Sequence, residues 1–219
     1  MEIQGLGPIR PFEVQVPSSP ALITRDWVEE TVSTAGPRLS FVGEEDETRL
    51  SGSGAIYAEI HRGELGRVPV AVKFCGGFHW THDPVEAKNL LQNDLSVVRS
   101  LEFGLPRLLG TVLESASSQL PLALVTEFID GPHIREALQS GAISKEELEP
   151  QLLKIANHAV EQGFLLLDSN ERNFRVRDGA VYAVDLGTFG TPLSASPFAD
   201  IEDKTPEQFV REIFDPFEA

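Results

Sequence analysis

The chain is poor in cysteine and contains no long apolar run. Its 219 residues include a single cysteine, Cys75, so no internal disulfide and no cysteine-rich zinc module can form. No stretch of about 18 apolar residues is present, and the first residues have neither the basic nor the apolar region of a secretory signal. We therefore expect a cytoplasmic protein, made for a reducing compartment, with no membrane partner.

Positive charge is also scarce and scattered. The chain has 18 Lys and Arg against 34 Asp and Glu, a formal net charge of −16, and its basic residues form no run. The phosphate backbone of a nucleic acid would be repelled by such a surface, so no nucleic-acid partner is expected. The same charge favours a neutral or basic acceptor, such as a protein surface.

What the chain does contain predicts a folded α+β protein. Apolar residues make up 41% of it, enough for a sizeable core. Four prolines within residues 1–23 forbid a long helix there and predict extended chain that either wraps the body or stays mobile. A short amphipathic helix is predicted over residues 24–35, since Thr24 can cap it and Gly36 and Pro37 end it.

The pattern then changes to strands. Short apolar runs cut by glycines predict strands over residues 39–42, 49–51, 55–60 and 68–75. A helix over residues 83–101 follows, begun by Asp83 and Pro84, and then two strand-like runs at 105–113 and 120–129. The predicted order is three or more strands, a helix, and two strands.

The second half is predicted to be mainly helical. Helices are expected over residues 134–139, 144–163 and 206–214, with short strands at 164–167, 174–177 and 181–186. Ser144 and Glu147 form a capping box at the start of the long helix. Its apolar stripe predicts a buried face made of Leu148, Leu152, Ile155, Ala156, Ala159 and Val160.

Three features of the first half are suited to binding phosphate. Gly52, Ser53 and Gly54 lie between predicted strands, where backbone amides can approach phosphate oxygens without a Cβ in the way. Lys73 ends an apolar strand, and a cation fixed on a strand can pair with nucleotide phosphates. Glu86, on the next predicted helix, could pair with Lys73. Taken singly, these are more simply an ordinary turn, a surface lysine and a solvated glutamate.

Two polar segments of the second half carry oxygen ligands. Asp168 and Asn173 lie five residues apart on a predicted loop, where one can orient a hydroxyl as a base and the other can bind a metal ion. Asp185 ends a predicted strand just before Leu186 and Gly187. A carboxylate there suits Mg²⁺, which prefers hard oxygen ligands. Asp and Asn are also common in plain polar turns, so the order of the whole set carries the argument.

In that order, residues 48–190 resemble the protein-kinase-like superfamily. Val70-Ala71-Val72-Lys73 resembles the strand with the phosphate-pairing lysine, and Leu124-Val125-Thr126-Glu127-Phe128-Ile129 resembles the strand that enters the hinge. The resemblance implies a compact bilobal α+β fold with a shortened C-terminal lobe. It divides the chain into an amino-terminal arm and short helix (1–37), a lobe with a sheet and one helix (38–130) and a reduced helical lobe (131–219).

The resemblance also implies a function and a site. The function is transfer of phosphate from Mg-ATP, most simply to a hydroxyl of a protein substrate. Catalysis is assigned to Asp168 and Lys73, and metal binding to Asn173 and Asp185. Nucleotide binding is assigned to the glycine loop, the lysine strand and its helix partner, and the hinge strand, that is, to Gly52, Ser53, Gly54, Ala71, Lys73, Glu86, Thr126, Glu127, Phe128 and Ile129.

Departures from the family pattern leave alternatives open. Leu166 and Leu167 replace the histidine and arginine that usually precede the catalytic aspartate, and Asn170 stands where Ser/Thr kinases have a lysine. The glycine loop can be aligned with either Tyr57 or Gly54 at its third glycine. Only 32 residues follow Gly187 (219 − 187), as in short effector kinases that bacteria inject into host cells. A pseudokinase binding module, a nucleotidyl transferase, a small-molecule kinase and an enzyme completed by a protein partner remain competing interpretations.

Overall fold

A computed structural model describes residues 11–17, 20, 23–41, 43, 49–50, 58–75, 84–115, 120–191 and 204–215, with the backbone alone for residues 84–87. It divides into two compact units. The first comprises Met1–Gln92 and Arg107–Phe128, and the second comprises Asn93–Pro106 and Ile129–Ala219. Strands fill the first unit and helices dominate the second, so the chain is mixed α+β, as the sequence predicts.

The first unit is built on a six-stranded sheet. Its strands are β1 (Phe12–Val16), β2 (Leu39–Ser40), β3 (Glu59–Leu65), β4 (Val68–Phe74), β5 (Leu108–Glu114) and β6 (Pro121–Glu127), in the spatial order β1-β5-β6-β4-β3-β2. β1 runs parallel to β5, and the other neighbours are antiparallel. The two innermost strands, β6 and β4, are rich in Val, Leu and Ala, which suits strands that are covered by neighbours.

The proline-rich arm contributes an edge strand. Phe12–Val16 pairs with Gly110–Glu114 in register, and the amide of Ser115 donates to the Val16 carbonyl at 2.8 Å. The prediction of extended chain is confirmed for these five residues, and they are held by β5. The phenyl ring of Phe12 occupies the space that the missing side chain of Gly110 leaves open, so the glycine permits this close pairing.

The predicted strand at 55–60 was placed too early. β3 runs over Glu59–Leu65, and its buried positions are His61, Gly63 and Leu65. Two of these three are not large apolar residues, so the sequence does not show the alternation of apolar and polar residues that predicts a strand. The His61 ring is fully buried, stacks on Phe74 with centroids 5.4 Å apart, and lies 3.2 Å from the Glu59 carboxylate. Ring packing and a polar partner therefore offset the cost of burying an imidazole.

The helices of the first half agree with the sequence. Helix α1 (Arg25–Thr34) is capped by the Thr24 hydroxyl, which accepts from the amide of Trp27 at 3.2 Å, and it buries Val28 and Val32. Helix α2 (Pro84–Ser100) begins at the expected proline. An ion pair of 2.8 Å between Lys88 and Glu114 fastens the start of α2 to β5. Asp83, its predicted cap, lies outside the described residues.

The second unit is packed around one apolar core. Its helices are α3 (Ile134–Gln139), α4 (Lys145–Glu161) and α5 (Pro206–Phe214), and its short strands are β7 (Leu165–Leu166), β8 (Phe174–Arg177), β9 (Ala180–Ala183) and β10 (Phe189–Gly190). β7 pairs with β10 and β8 pairs with β9, both antiparallel. The predicted bounds of α3, α5 and β8 are confirmed, as is the Ser144 and Glu147 capping box.

One member of the predicted stripe on α4 was wrong. Leu148, Leu152, Ile155, Ala156 and Ala159 are buried, but Val160 is 45% exposed. Val160 follows Ala159 by one position, which turns its side chain about 100° around the helix and away from the core. Among the described helices, none is both long and apolar enough to span a membrane.

Candidate functional site

In the first unit, the lysine strand has one buried and one outward face. Val70, Val72 and Phe74 are fully buried, whereas Ala71 and Lys73 alternate with them and are partly exposed. Lys73 is paired with Leu124 of β6 and Ile60 of β3, so these three side chains share what we call the outward face of the sheet, on which Leu124 is nonetheless buried. Because strands on both sides fix the β4 backbone, the position from which the ammonium group extends is fixed as well.

Thr126 lies beside Ala71 on the same outward face. The two residues are register partners, and the Thr126 hydroxyl is 3.4 Å from the Ala71 carbonyl, to which it donates. The Thr126 side chain is nearly buried. The register therefore places Ala71, Lys73 and Thr126, three of the predicted nucleotide-binding residues, on one face of one sheet.

The chain after Thr126 is held by backbone hydrogen bonds. The Glu127 amide donates to the Arg107 carbonyl at 2.9 Å, and the Phe128 amide donates to the Pro69 carbonyl at 3.1 Å. The Arg62 guanidinium lies 4.6 Å from the centre of the Phe128 ring, a cation-π distance. Arg62 was missed as a member of this face, because β3 was predicted to end before it.

Part of the predicted site lies outside the described residues. Gly52, Ser53 and Gly54 are not among them. The backbone of Glu86 belongs to α2, but its side chain is not described. The glycine loop and the Lys73–Glu86 ion pair therefore stay predictions.

In the second unit, Asp168 lies on a loop that is shaped by its own polar side chains. One Asp168 carboxylate oxygen accepts from the Asn170 amide at 3.1 Å, and the Asn170 side chain accepts from the Arg172 amide at 3.0 Å. These contacts are successive turns closed by Asx side chains, and they lead into a single 3-10 turn at Glu171–Asn173. The Asp168 side chain is exposed, so its carboxylate can reach a reactant.

Asn173 joins this loop to the loop that carries Asp185. Its side-chain nitrogen donates to the Asp168 carbonyl at 3.4 Å. Its own carbonyl accepts from the amides of Val184 at 2.8 Å and Asp185 at 3.4 Å. Asn173 is buried, and it contacts the backbone of both Asp168 and Asp185. It therefore links the two aspartates.

Asp185 lies two residues beyond the end of a strand that is shorter than the sequence predicted. β9 stops at Ala183, and Leu186–Thr188 forms a 3-10 turn, so the predicted strand over 181–186 was too long. The Asp185 carboxylate caps that turn by accepting from the Gly187 amide at 3.1 Å. An Asp side chain that satisfies its own following amide favours a turn over continued pairing.

The strands that flank the two loops bring them to the same end of a ladder. β7 leads into Asp168 and β10 follows Asp185, and in their antiparallel pairing Leu166 lies opposite Phe189. The Leu167 amide continues the ladder by donating to the Thr188 carbonyl at 2.9 Å. Leu166 and Leu167, which replace the expected histidine and arginine, thus form part of the support under Asp168.

A further support was missed by sequence reasoning. Glu171 is buried, and its carboxylate lies 3.0 Å from a terminal guanidinium nitrogen of Arg135 on α3. Buried carboxylates need such a partner. In the sequence, Glu171 is one charged residue of a polar loop and nothing distinguishes it from a solvated one.

The oxygen groups of this unit suit a hard cation. Among the described residues, no three His, Cys, Asp or Glu side chains are grouped so as to hold a metal ion. The predicted ligands are instead one carboxylate, Asp185, and one side-chain amide oxygen, Asn173. Because the Asn173 nitrogen faces the Asp168 carbonyl, its oxygen is the atom that can act as a ligand. Mg²⁺ in nucleotide sites takes one or two protein ligands and completes its shell with phosphate oxygens and water.

Comparison with known proteins assigns no family to the chain, so any functional assignment depends on the residues described above. The chain matches no protein-family model, and no curated protein is significantly similar to it in sequence.

Proposed function

We propose that the chain is a Mg-ATP-dependent phosphotransferase of the protein-kinase-like superfamily that acts on a hydroxyl group, most simply of a protein. The observation that carries the proposal is the position of Asn173. It contacts the Asp168 carbonyl through its side chain and the Asp185 amide through its carbonyl. A base and a metal ligand that must act on one phosphoryl group need such a common support.

The fold also supports the proposal. The first unit has the expected order of strands, one helix and two strands, with the lysine on an inner strand. The second unit is mainly helical and carries the oxygen ligands on its loops. We extend this to a bilobal kinase-like fold, in which the first unit is the nucleotide-binding lobe and the second is a shortened catalytic lobe.

Each residue then has a chemical role. Lys73 would pair with nucleotide phosphates, while Asn173 and Asp185 would hold Mg²⁺, which would neutralise phosphate charge. Asp168 accepts the proton of the acceptor hydroxyl. The acceptor oxygen forms a bond to the γ-phosphorus, the bond from that phosphorus to the β,γ-bridging oxygen breaks, and ADP leaves with its electron pair.

The hinge strand supplies the nucleobase contacts in this proposal. Ala71 and Thr126 share the outward face of the sheet. The amides of Glu127 and Phe128 already donate to Arg107 and Pro69. Within residues 127–129, the proposal therefore assigns the donor for adenine to the Ile129 amide.

The test is transfer of label from γ-labelled ATP, with Mg²⁺, to the chain itself and to histones as a basic hydroxyl-bearing acceptor. Asp168→Asn should reduce the rate by about 10²- to 10⁴-fold, the usual contribution of a positioned base. Asp178→Asn is the matched control. Asp178 is an exposed carboxylate in the β8–β9 turn with φ of 52°, a conformation that Asn tolerates. Equal rates in wild type and Asp168→Asn would refute the proposal.

The same assay distinguishes the nature of the transferred group. Label transferred from α-labelled ATP, with none from γ-labelled ATP, would indicate a nucleotidyl transferase that uses the same residues. Label transferred to small hydroxylated metabolites, with none to protein, would indicate a small-molecule kinase.

One observation favours a second candidate, a pseudokinase binding module. Leu166 and Leu167 stand where active kinases usually have histidine and arginine, and Leu166 is fully buried in the β7–β10 ladder. In this chain these positions thus contribute to packing, in place of the polar side chains of active kinases. A pseudokinase should be stabilised by ATP without Mg²⁺ and should transfer no label under any of the conditions above.

A further inference from the structure

A polar cluster lies directly beside the proposed catalytic aspartate. The Ser169 hydroxyl donates to the Glu212 carboxylate at 2.6 Å. The Lys204 ammonium donates to the Ser169 oxygen at 3.0 Å and also pairs with Glu212. We call Ser169, Lys204 and Glu212 the tail network, because two of its members come from the chain that forms and precedes α5.

The tail network is attached to a well-anchored helix. Phe209, Val210, Ile213 and Phe214 of α5 are buried. The Phe209 ring contacts those of Phe174 and Phe189, with centroids 6.2 and 6.4 Å away. Phe174 directly follows Asn173, and Phe189 comes two residues after Gly187. One side chain of α5 therefore packs behind both loops of the proposed site.

The charges of the tail network strengthen its hydrogen bonds at neutral pH. Burial alone would raise the pKa of Glu212, but hydrogen bonds from Lys204 and Ser169 and the charges of Lys204 and Arg211 hold that pKa below its ordinary value. Glu212 is therefore ionised, which makes the hydrogen bond from Ser169 a charge-assisted one.

We propose that the tail network positions the Asp168 loop for catalysis, so that α5 contributes to the active site through the contact of Glu212 with Ser169. This inference rests on the proposed function. Ser169 is a positioning residue, since it acts through its neighbour Asp168 and its own hydroxyl is already engaged by Glu212.

Besides the contact from the Asn173 side chain to the Asp168 carbonyl, the loop is fixed at three points. The Leu167 amide is bound to Thr188, Glu171 is bound to Arg135, and Ser169 is bound to Glu212. The first two leave residues 168–170 between them, and Asp168 itself is exposed. Of these three contacts, the one made by Ser169 is the closest in sequence to the base. Displacement of a catalytic group by about 1 Å can cost about 10²-fold in rate, so loss of this contact should be visible in kcat.

The test compares Ser169→Ala with Ser169→Thr and with Glu207→Gln. Ser169→Ala removes the hydroxyl and leaves the Lys204–Glu212 pair, while Ser169→Thr retains a hydroxyl. Glu207→Gln changes an exposed carboxylate in the first turn of the same helix and should behave as wild type. The measurements are kcat and KM for ATP, the melting temperature, and hydrogen exchange of the Asn170, Arg172 and Asn173 amides.

We expect Ser169→Ala to lower kcat about tenfold or more with KM for ATP within about twofold of wild type. Exchange of the three loop amides should become faster, and Ser169→Thr should recover most of both properties. A lower melting temperature with unchanged kcat would overturn the inference, since it would show a purely structural contact. Unchanged exchange with unchanged kcat would overturn it as well.

Failure of the proposed function would look different. In that case the wild type transfers no label, and faster exchange in Ser169→Ala would still show that the tail network orders the loop. The claim that this order serves catalysis would then be refuted together with the proposed function.

Discussion

The backbone carbonyl of Asn173 accepts a hydrogen bond from the Val184 amide at 2.8 Å, at the point where the strand β9 has just ended. This bond connects two polar segments that are eleven residues apart in sequence (184 − 173) and fixes the residue before Asp185. It follows that the position of Asp185 is set by backbone geometry, so its side chain can be changed without loss of this bond.

Asp185→Asn should abolish the dependence of ATP binding on Mg²⁺. An asparagine can still cap the following turn by accepting from the Gly187 amide, so the ligand-free protein should keep its stability to within about 1 kcal/mol. Ligand at 100 times its Kd stabilises a native state by about 2.7 kcal/mol, which a melting curve resolves. In wild type the rise with ATP should need Mg²⁺, and in Asp185→Asn added Mg²⁺ should have no effect.

The control for that experiment is Asp130→Asn, which changes an exposed carboxylate. It should retain the full Mg²⁺-dependent rise. A rise of equal size in Asp185→Asn and wild type would contradict the metal role of Asp185.

Lys73→Met should weaken the binding of ATP and leave the binding of adenosine unaffected. Methionine keeps much of the length and apolar volume of the lysine stem but has no charge, so the proposed ion pair with the nucleotide phosphates is lost. We expect ATP affinity to fall about tenfold or more, equivalent to about 1.4 kcal/mol. Isothermal titration with both ligands measures the difference. Arg67→Met, an exposed cation in the β3–β4 turn, is the control, and an equal loss there would indicate a nonspecific charge effect.

The elements that could be predicted are those whose local chemistry agrees with their packing. α4 has a capping box, five buried apolar residues at helical spacing and a glycine just beyond its end, and these signals point to the same helix despite Pro150 within it. α5 starts with Thr205 and a proline, and its bounds follow directly. β3 could not be located because its inward positions include His61 and Gly63, which no hydrophobic pattern identifies.

For the site, residue types were predictable and their supports were not. Asp168, Asn173 and Asp185 were singled out by order and spacing, and the second unit does bring them together through Asn173. The partners that hold their loops are Arg135, Lys204 and Glu212. These residues are distant in sequence, and they are charged residues of the kind found on any protein surface. Pairings of that kind depend on tertiary contacts, which a single sequence does not encode in any local pattern.

Gly110→Ala should displace the edge strand β1. A Cβ at this position would lie 2.1 Å from the tip of the Phe12 ring, so one of them must move. Overpacking of this kind costs about 1 to 3 kcal/mol. Phe12→Ala removes the ring, so Gly110→Ala should cost much less in that background. A double-mutant cycle by urea unfolding measures the coupling, and additive effects would show that the ring does not lie against Gly110.

The contribution of Glu212 to stability should disappear in acid. Its pKa in the folded protein is below the ordinary value, because hydrogen bonds from Lys204 and Ser169 and the charges of Lys204 and Arg211 outweigh burial. A carboxylate of this kind stabilises the fold above its unfolded pKa, and the effect is lost as pH falls through the folded pKa. The Glu212 side chain is 37% exposed, so screening keeps the effect below about 1 kcal/mol. Wild type should therefore melt above Glu212→Gln at pH 7 and in low salt, and the two curves should converge as the pH is lowered towards 3. A gap that stays constant over this range would show that the carboxylate charge does not hold the tail network.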